Sequence, residues 1–151
     1  MSQFITFCII LFAVCNYGSC VKWQDCGSKM GKVADIQVKG CVKSETICVA
    51  KKGTNVTFSA AFTPNEKVEK LAAVVHGIVA GIPVPFPLPN PNACKDSGLQ
   101  CPLVSGKAVN YVATLPILHE YPAIRVVVKW ELKDQNTKDV VCIEMGIEIE
   151  S

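Results

Sequence analysis

Histidine is nearly absent from this chain: the 151 residues hold two, His76 and His119. No G-x-S-x-G, H-E-x-x-H or phosphate-cradling glycine loop occurs either. With no motif that sets a base beside a nucleophile or a metal, a hydrolase or metalloenzyme has little to build on. His76 lies in an apolar run and reads as a structural residue; His119 falls in a loop and reads as solvated. The carboxylates are scattered along outward faces. A dense Lys/Arg block is also missing: the formal net charge is +2, with both signs mixed along the chain. That excludes the electrostatic footprint of a nucleic-acid binder. There are no internal repeats, and beyond residue 20 no apolar run is long enough to span a bilayer.

The first twenty residues carry no Lys or Arg. Residues 4–15, FITFCIILFAVC, are apolar except for Thr6, and Gly18 and Cys20 stand at minus three and minus one of a small-residue cleavage site. The stretch is too short for a membrane span and reads as a secretory signal peptide, residues 1–20, followed by one domain, residues 21–151. Cysteine use points the same way. Nine cysteines are an odd set, and removing Cys8, Cys15 and Cys20 with the leader leaves six: Cys26, Cys41, Cys48, Cys94, Cys101 and Cys142. An even set in an exported chain implies three disulfides, for which fifteen connectivities are open. Two local loops, Cys41 with Cys48 and Cys94 with Cys101, are the simplest arrangement and leave Cys26 for Cys142. Zinc fits less well, because each local pair is separated by more residues than a zinc knuckle uses. No metal or other cofactor is expected.

What the chain does have is period-two alternation. Val56, Phe58, Ala60 and Phe62 oppose Asn55, Thr57 and Ser59. Ile124, Val126, Val128, Trp130 and Leu132 oppose Arg125, Lys129 and Glu131. Val141, Ile143, Met145, Ile147 and Ile149 oppose Glu144 and Glu148. Weaker alternation marks Ala34, Ile36, Val38 and Val109, Tyr111, Ala113, Leu115. These are half-buried strands, and Asp134 to Thr137 supplies a turn between the last two. Residues 71–82 fit helical spacing as well as strand, with Gly77, Gly81 and β-branched content favouring strand. About seven short strands without a helix predict an all-β, two-sheet sandwich. The central Trp between bridging cysteines of true immunoglobulin domains is missing, so any likeness is one of architecture. Asn55-Val56-Thr57 is an N-glycosylation sequon on an outward face.

Residues 81–94, GIPVPFPLPNPNAC, place a proline at every second position from Pro83 to Pro91. Proline donates no ladder hydrogen bond and cannot continue a helix, so the stretch reads as a stiff extended rod outside both elements. It is either a polyproline connector with Phe86 closing the core, or a rigid apolar lip through which an apolar ligand enters. LPILHEYP, 115–122, has the same character, and Tyr121 offers a flat apolar face with one polar tip.

Seven pieces in order carry a resemblance: DCGS at 25–28, NVTF at 55–58, VVHGIVAGIPVPFPLPNP at 74–91, CP at 101–102, LP at 115–116, EYP at 120–122 and VVKWEL at 127–132. The chain resembles the ML lipid-recognition family, most closely its secreted Niemann–Pick type C sterol-transfer branch. The resemblance implies an immunoglobulin-like β-sandwich whose sheets splay around a lipid, strand at 71–82, bridges Cys26–Cys142, Cys41–Cys48 and Cys94–Cys101, and no catalytic residues. It places Phe86, Ile117 and Tyr121 at the cavity mouth, and Val84, Pro116, Val128 and Trp130 deeper or flanking. The partner it implies is a sterol or other small apolar lipid, with contact to a membrane surface or receptor during transfer, for a monomeric protein that is secreted or lysosomal. A module that recognises microbial lipids for innate immunity is the alternative.

Overall fold

The computed structural model describes residues 21–42 and 46–151. The leader assigned to residues 1–20 lies outside them. Nine strands are present among the described residues and no helix: β1 (Trp23–Asp25), β2 (Gly31–Lys39), β3 (Cys48–Lys51), β4 (Asn55–Pro64), β5 (Ala72–Val79), β6 (Ile82–Phe86), β7 (Val109–Pro116), β8 (Arg125–Lys133) and β9 (Asp139–Glu150). They form two layers. The larger sheet runs β1-β9-β8-β5-β6, with β3 added in parallel to β9; the smaller runs β2-β4-β7 and is antiparallel throughout.

The alternating segments become the walls. On β4 the inward row Val56, Phe58, Ala60, Phe62 is buried. On β8 and β9 the inward rows from Val126 to Leu132 and from Val141 to Ile147 meet it from the other sheet. Phe58 and Trp130 stack across the gap, with centroids 4.1 Å apart and planes 12° apart, and Tyr111 sets its ring edgewise to both. This aromatic trio joins the layers at one level. β2 departs from the expected alternation: a bulge between Val33 and Asp35 inserts an extra residue, so Ala34 turns out to solvent while Ile36 and Val38 stay inside.

The proline rod also differs from expectation, because its first part joins a sheet. β5 and β6 form a hairpin whose two-residue loop, Ala80 (φ 50°) and Gly81 (φ 77°), has both residues in the left-handed region. That is the twist-matched hairpin turn. The pairing Val79↔Ile82, Gly77↔Val84, Val75↔Phe86 puts the N–H groups of Ile82, Val84 and Phe86 toward β5. Pro83 and Pro85 fall on the alternate positions, so their missing donors face the open side of the sheet. An alternate-proline strand is therefore compatible with an edge and with nowhere else.

Three disulfides are present: Cys26–Cys142, which fastens the end of β1 to β9 within the larger sheet, Cys41–Cys48, which ties the segment after β2 of the smaller sheet to β3 of the larger, and Cys94–Cys101, which closes a loop. Around the first, the DCGS stretch is a compact turn. The Asp25 carboxylate accepts from the N–H groups of Gly27 (2.8 Å) and Ser28 (2.9 Å), and Ser28 Oγ accepts from Cys142 N (2.8 Å). Burial works against the Asp25 charge, but the bonds from Ser28 and Gly27 prevail and hold its carboxyl below the usual range.

Candidate functional site

On one side of the aromatic trio the sheets stand apart and enclose a hollow of about 210 Å³. Every strand that faces it contributes apolar side chains. β4 gives Val56 and Phe58; β5 gives Val75 and Val79; β8 gives Val126, Val128 and Trp130; β9 gives Met145, Ile147 and Ile149. No lining residue is charged, and the polar side-chain groups among them are the Tyr121 hydroxyl and the Trp130 indole N–H. A larger groove of about 340 Å³ runs over the outer edge of β7, but Asn90, Asp96 and Ser97 line it, and it lies outside the sandwich. Of the two, only the hollow between the sheets has a lining without charged residues.

Its rim comes from two segments. β6 brings Val84, Pro85 and Phe86; the stretch after β7 brings Ile117, Tyr121 and Pro122. Phe86 and Tyr121 meet edge-to-face, centroids 5.3 Å apart at 62°, a favourable aromatic geometry. The rim segment is fastened at its base: Gly53 N donates to Ile117 O (2.7 Å), and Ile117 N donates to Thr54 O (2.8 Å). Further on, Ile149 N donates to Ile124 O (2.9 Å), tying the segment to β9. Burial, and then the neighbouring Glu120, push the Tyr121 hydroxyl pKa up. It stays protonated at neutral pH and able to donate.

Val84, Phe86, Ile117, Tyr121, Val128 and Trp130 thus border one hollow. Pro116 does not: it ends β7 opposite Asn55, and strand alternation turns Leu115 inward in its place. His76 and His119 are not among the lining residues. Sequence reasoning left out Val38, Val75, Ile124, Met145 and Ile147 as site residues, although several lie on its own inward rows. What it lacked was the level along each strand at which the sheets separate.

Tyr111 supports the floor. Burial pushes its hydroxyl pKa up to about 12, and the Trp130 N–H beside it only partly offsets this. Neither of those two buried polar groups has a well-formed hydrogen-bond partner among the described residues.

Residues 20–149 match the family model described as the ML domain. The chain belongs to the ML domain family. Among curated relatives of this ML domain, NPC intracellular cholesterol transporter 2 homolog a of Drosophila melanogaster is 44% identical over 138 residues, covering 91% of this chain and 93% of that protein. NPC intracellular cholesterol transporter 2 of Danio rerio is 47% identical over 129 residues, 85% of each. Among solved structures, a Niemann–Pick type C2 protein from the Japanese carpenter ant superposes with a TM-score of 0.81 at 32% identity, covering 85% of this chain and 99% of that one. Chicken MD-1 complexed with lipid IVa shares the fold, with a TM-score of 0.52 at 16% identity and 82% and 85% covered. Among the described residues no helix of the ML domain is long and apolar enough to cross a membrane.

Proposed function

We propose that this ML domain binds a sterol, or another small apolar lipid, in the hollow between its sheets and carries it from one membrane to another. The observation that carries the reading is an uncharged, apolar-lined hollow whose rim includes the Phe86–Tyr121 pair. The cholesterol-transporter names of relatives at 44% and 47% identity support it. Binding rather than catalysis is the role, since neither histidine is placed to act on a guest.

Pockets for drug-sized ligands run to about 300–1,000 Å³. A hollow of about 210 Å³ therefore has to widen, by parting of the rim pair or of the sheets. Withdrawing a few hundred Å² of lipid from water at about 25 cal/mol per Å² is worth on the order of 10 kcal/mol. Association costs of roughly 4–15 kcal/mol offset much of it. Moderate affinity results, as release requires, and shape rather than polar contact does the discriminating. Phe86→Ala and Tyr121→Ala should each weaken cholesterol binding about tenfold in a competition assay that also contains oleic acid and lipopolysaccharide. Undiminished affinity in both variants would place the entrance elsewhere. Lipopolysaccharide outcompeting cholesterol would favour the microbial-lipid reading, for which a cationic rim is the natural partner; here Ile82, Val84, Leu118 and Glu120 stand beside the mouth.

Ile82 is 65% exposed, Val84 49% and Leu118 40%, an apolar collar suited to touching a membrane surface during transfer. On that reading the transfer rate rises with vesicle concentration; a rate independent of it means that cargo leaves through water. We also assign residues 1–20 as a cleaved leader and Asn55, exposed at the start of β4, as a glycan acceptor in a secreted chain. Intact mass of the secreted protein tests both: a product that retains Met1 and carries no adduct on Asn55 contradicts them.

A further inference from the structure

On the outer face of the larger sheet, away from the hollow, the β8–β9 hairpin gathers Glu131, Lys133 and Asp139. Lys133 Nζ lies 3.1 Å from Glu131 Oε2 and 3.4 Å from Asp139 Oδ1. The Glu131 side chain is 8% exposed and that of Asp139 21%. The two carboxyl groups face each other within 4.8 Å, beside Cys142 Sγ, which is held in its bridge to Cys26. One ammonium cannot neutralise two carboxylates, so the fully ionised group keeps a net negative charge in a place largely closed to water. Asp139 Oδ1 is buried and accepts no well-formed hydrogen bond. A proton held between the facing carboxyls supplies the donor that Asp139 Oδ1 lacks and removes their repulsion.

Among the described residues no second cation pairs with Glu131 or Asp139: Lys138, next to Asp139 in the chain, and Lys70, which lines the groove beside Lys133, form no ion pair. Across β5 the partners of Lys133 and Glu131 are Ala72 and Val74, which are uncharged. Lys129 exerts only a minor pull on Glu131, and it pairs across its own row with His76 and Glu144. On β1 the Asp25 carboxylate is turned to its own Gly27 and Ser28. The segment before β2 reaches Asp139 through Met30 N, which donates to the Asp139 backbone carbonyl; Lys29 and Lys32 beside it form no ion pair among the described residues.

We propose that Glu131 and Asp139 share one proton in the folded protein in mild acid, and that this pair consequently contributes more to stability there than at neutral pH. Burial, then Glu131, push the Asp139 carboxyl from its ordinary 3.8 up to about 6, with Lys133 opposing. Burial also works to raise Glu131, but protonated Asp139 and Lys133 hold it below its usual range. Because the folded pKa of Asp139 lies above the unfolded one, the folded state binds more protons between about 6 and about 4, and stability rises as pH falls through that window. Glu131 has the opposite sign, and its contribution is lost only below its ordinary 4.5. The gain therefore falls between about pH 6 and 4.5.

The test is a carbon-detected NMR titration of the labelled wild-type protein, with urea unfolding at pH 7 and pH 5 for wild type and Asp139→Asn. The Asp139 Cγ resonance should titrate near pH 6, about two pH units above an ordinary aspartate. The wild-type urea midpoint, measured relative to Asp139→Asn, should rise from pH 7 to pH 5. An Asp139 midpoint at or below 4, or the same pH dependence in the variant, overturns the proposal. The titration decides alone if the variant does not fold.

Discussion

Trp130→Ala should cost about 3 kcal/mol of stability and should do more damage than any other single truncation in the sandwich. Trp130 is fully buried and stacks on Phe58 of the opposite sheet at 4.1 Å. Truncating a buried Trp or Phe to Ala costs about 3–5 kcal/mol, with the cost depending on how far the site collapses. The lower end applies here, because the indole N–H has no well-formed partner and its removal recovers part of a desolvation penalty. Against a total of about 5–15 kcal/mol for a domain, the loss is large. Trp130→Phe keeps the stack and should cost markedly less. Urea unfolding followed by circular dichroism reads both, and a loss below about 1 kcal/mol for the alanine variant would mean that the trio does not bear the packing between the layers.

The double variant Cys26→Ser, Cys142→Ser should be more harmful still. Cys26 and Cys142 are 116 residues apart, whereas each of the other bridges closes a separation of 7. Chain-entropy arithmetic assigns roughly 5 kcal/mol to the long loop and roughly 2 kcal/mol to each short one. Losing the long bridge releases β1 from the end of β9 and approaches the whole stability of the domain. Losing Cys94–Cys101 should leave a folded protein with a lowered urea midpoint. If removing the long bridge costs no more than removing a short one, the chain-entropy account of this bridge fails.

Much of this fold was legible in residue order, because sheets that bury one face write their register as alternation. The inward rows of β4, β8 and β9 are visible as Val56-Phe58-Ala60-Phe62, Val126 to Leu132 and Val141 to Ile149. Other features depend on neighbours that no local pattern encodes. Residues 82–86 look unpairable until their register shows that the proline nitrogens face away from β5. Ala34 looks inward until a bulge turns it out. Glu131 sits on the expected outer face but is buried there, because Lys133 and Asp139 close over it from the two arms of a hairpin. β1 and β3 are too short to show any period. At the rim, Phe86, Ile117 and Tyr121 came from family resemblance; chain order alone does not say that two proline-rich segments meet.

The run of alternate prolines on β6 bears on how the protein survives at high concentration. A rim that displays Ile82 and Val84 beside an unpaired strand has the ingredients for copies to zip together edge to edge. Pro83 and Pro85 present carbonyls without matching donors along that border, so an incoming strand finds half of its rungs missing. The exposed apolar side chains of that border stay available, while edge-to-edge stacking is opposed at the backbone.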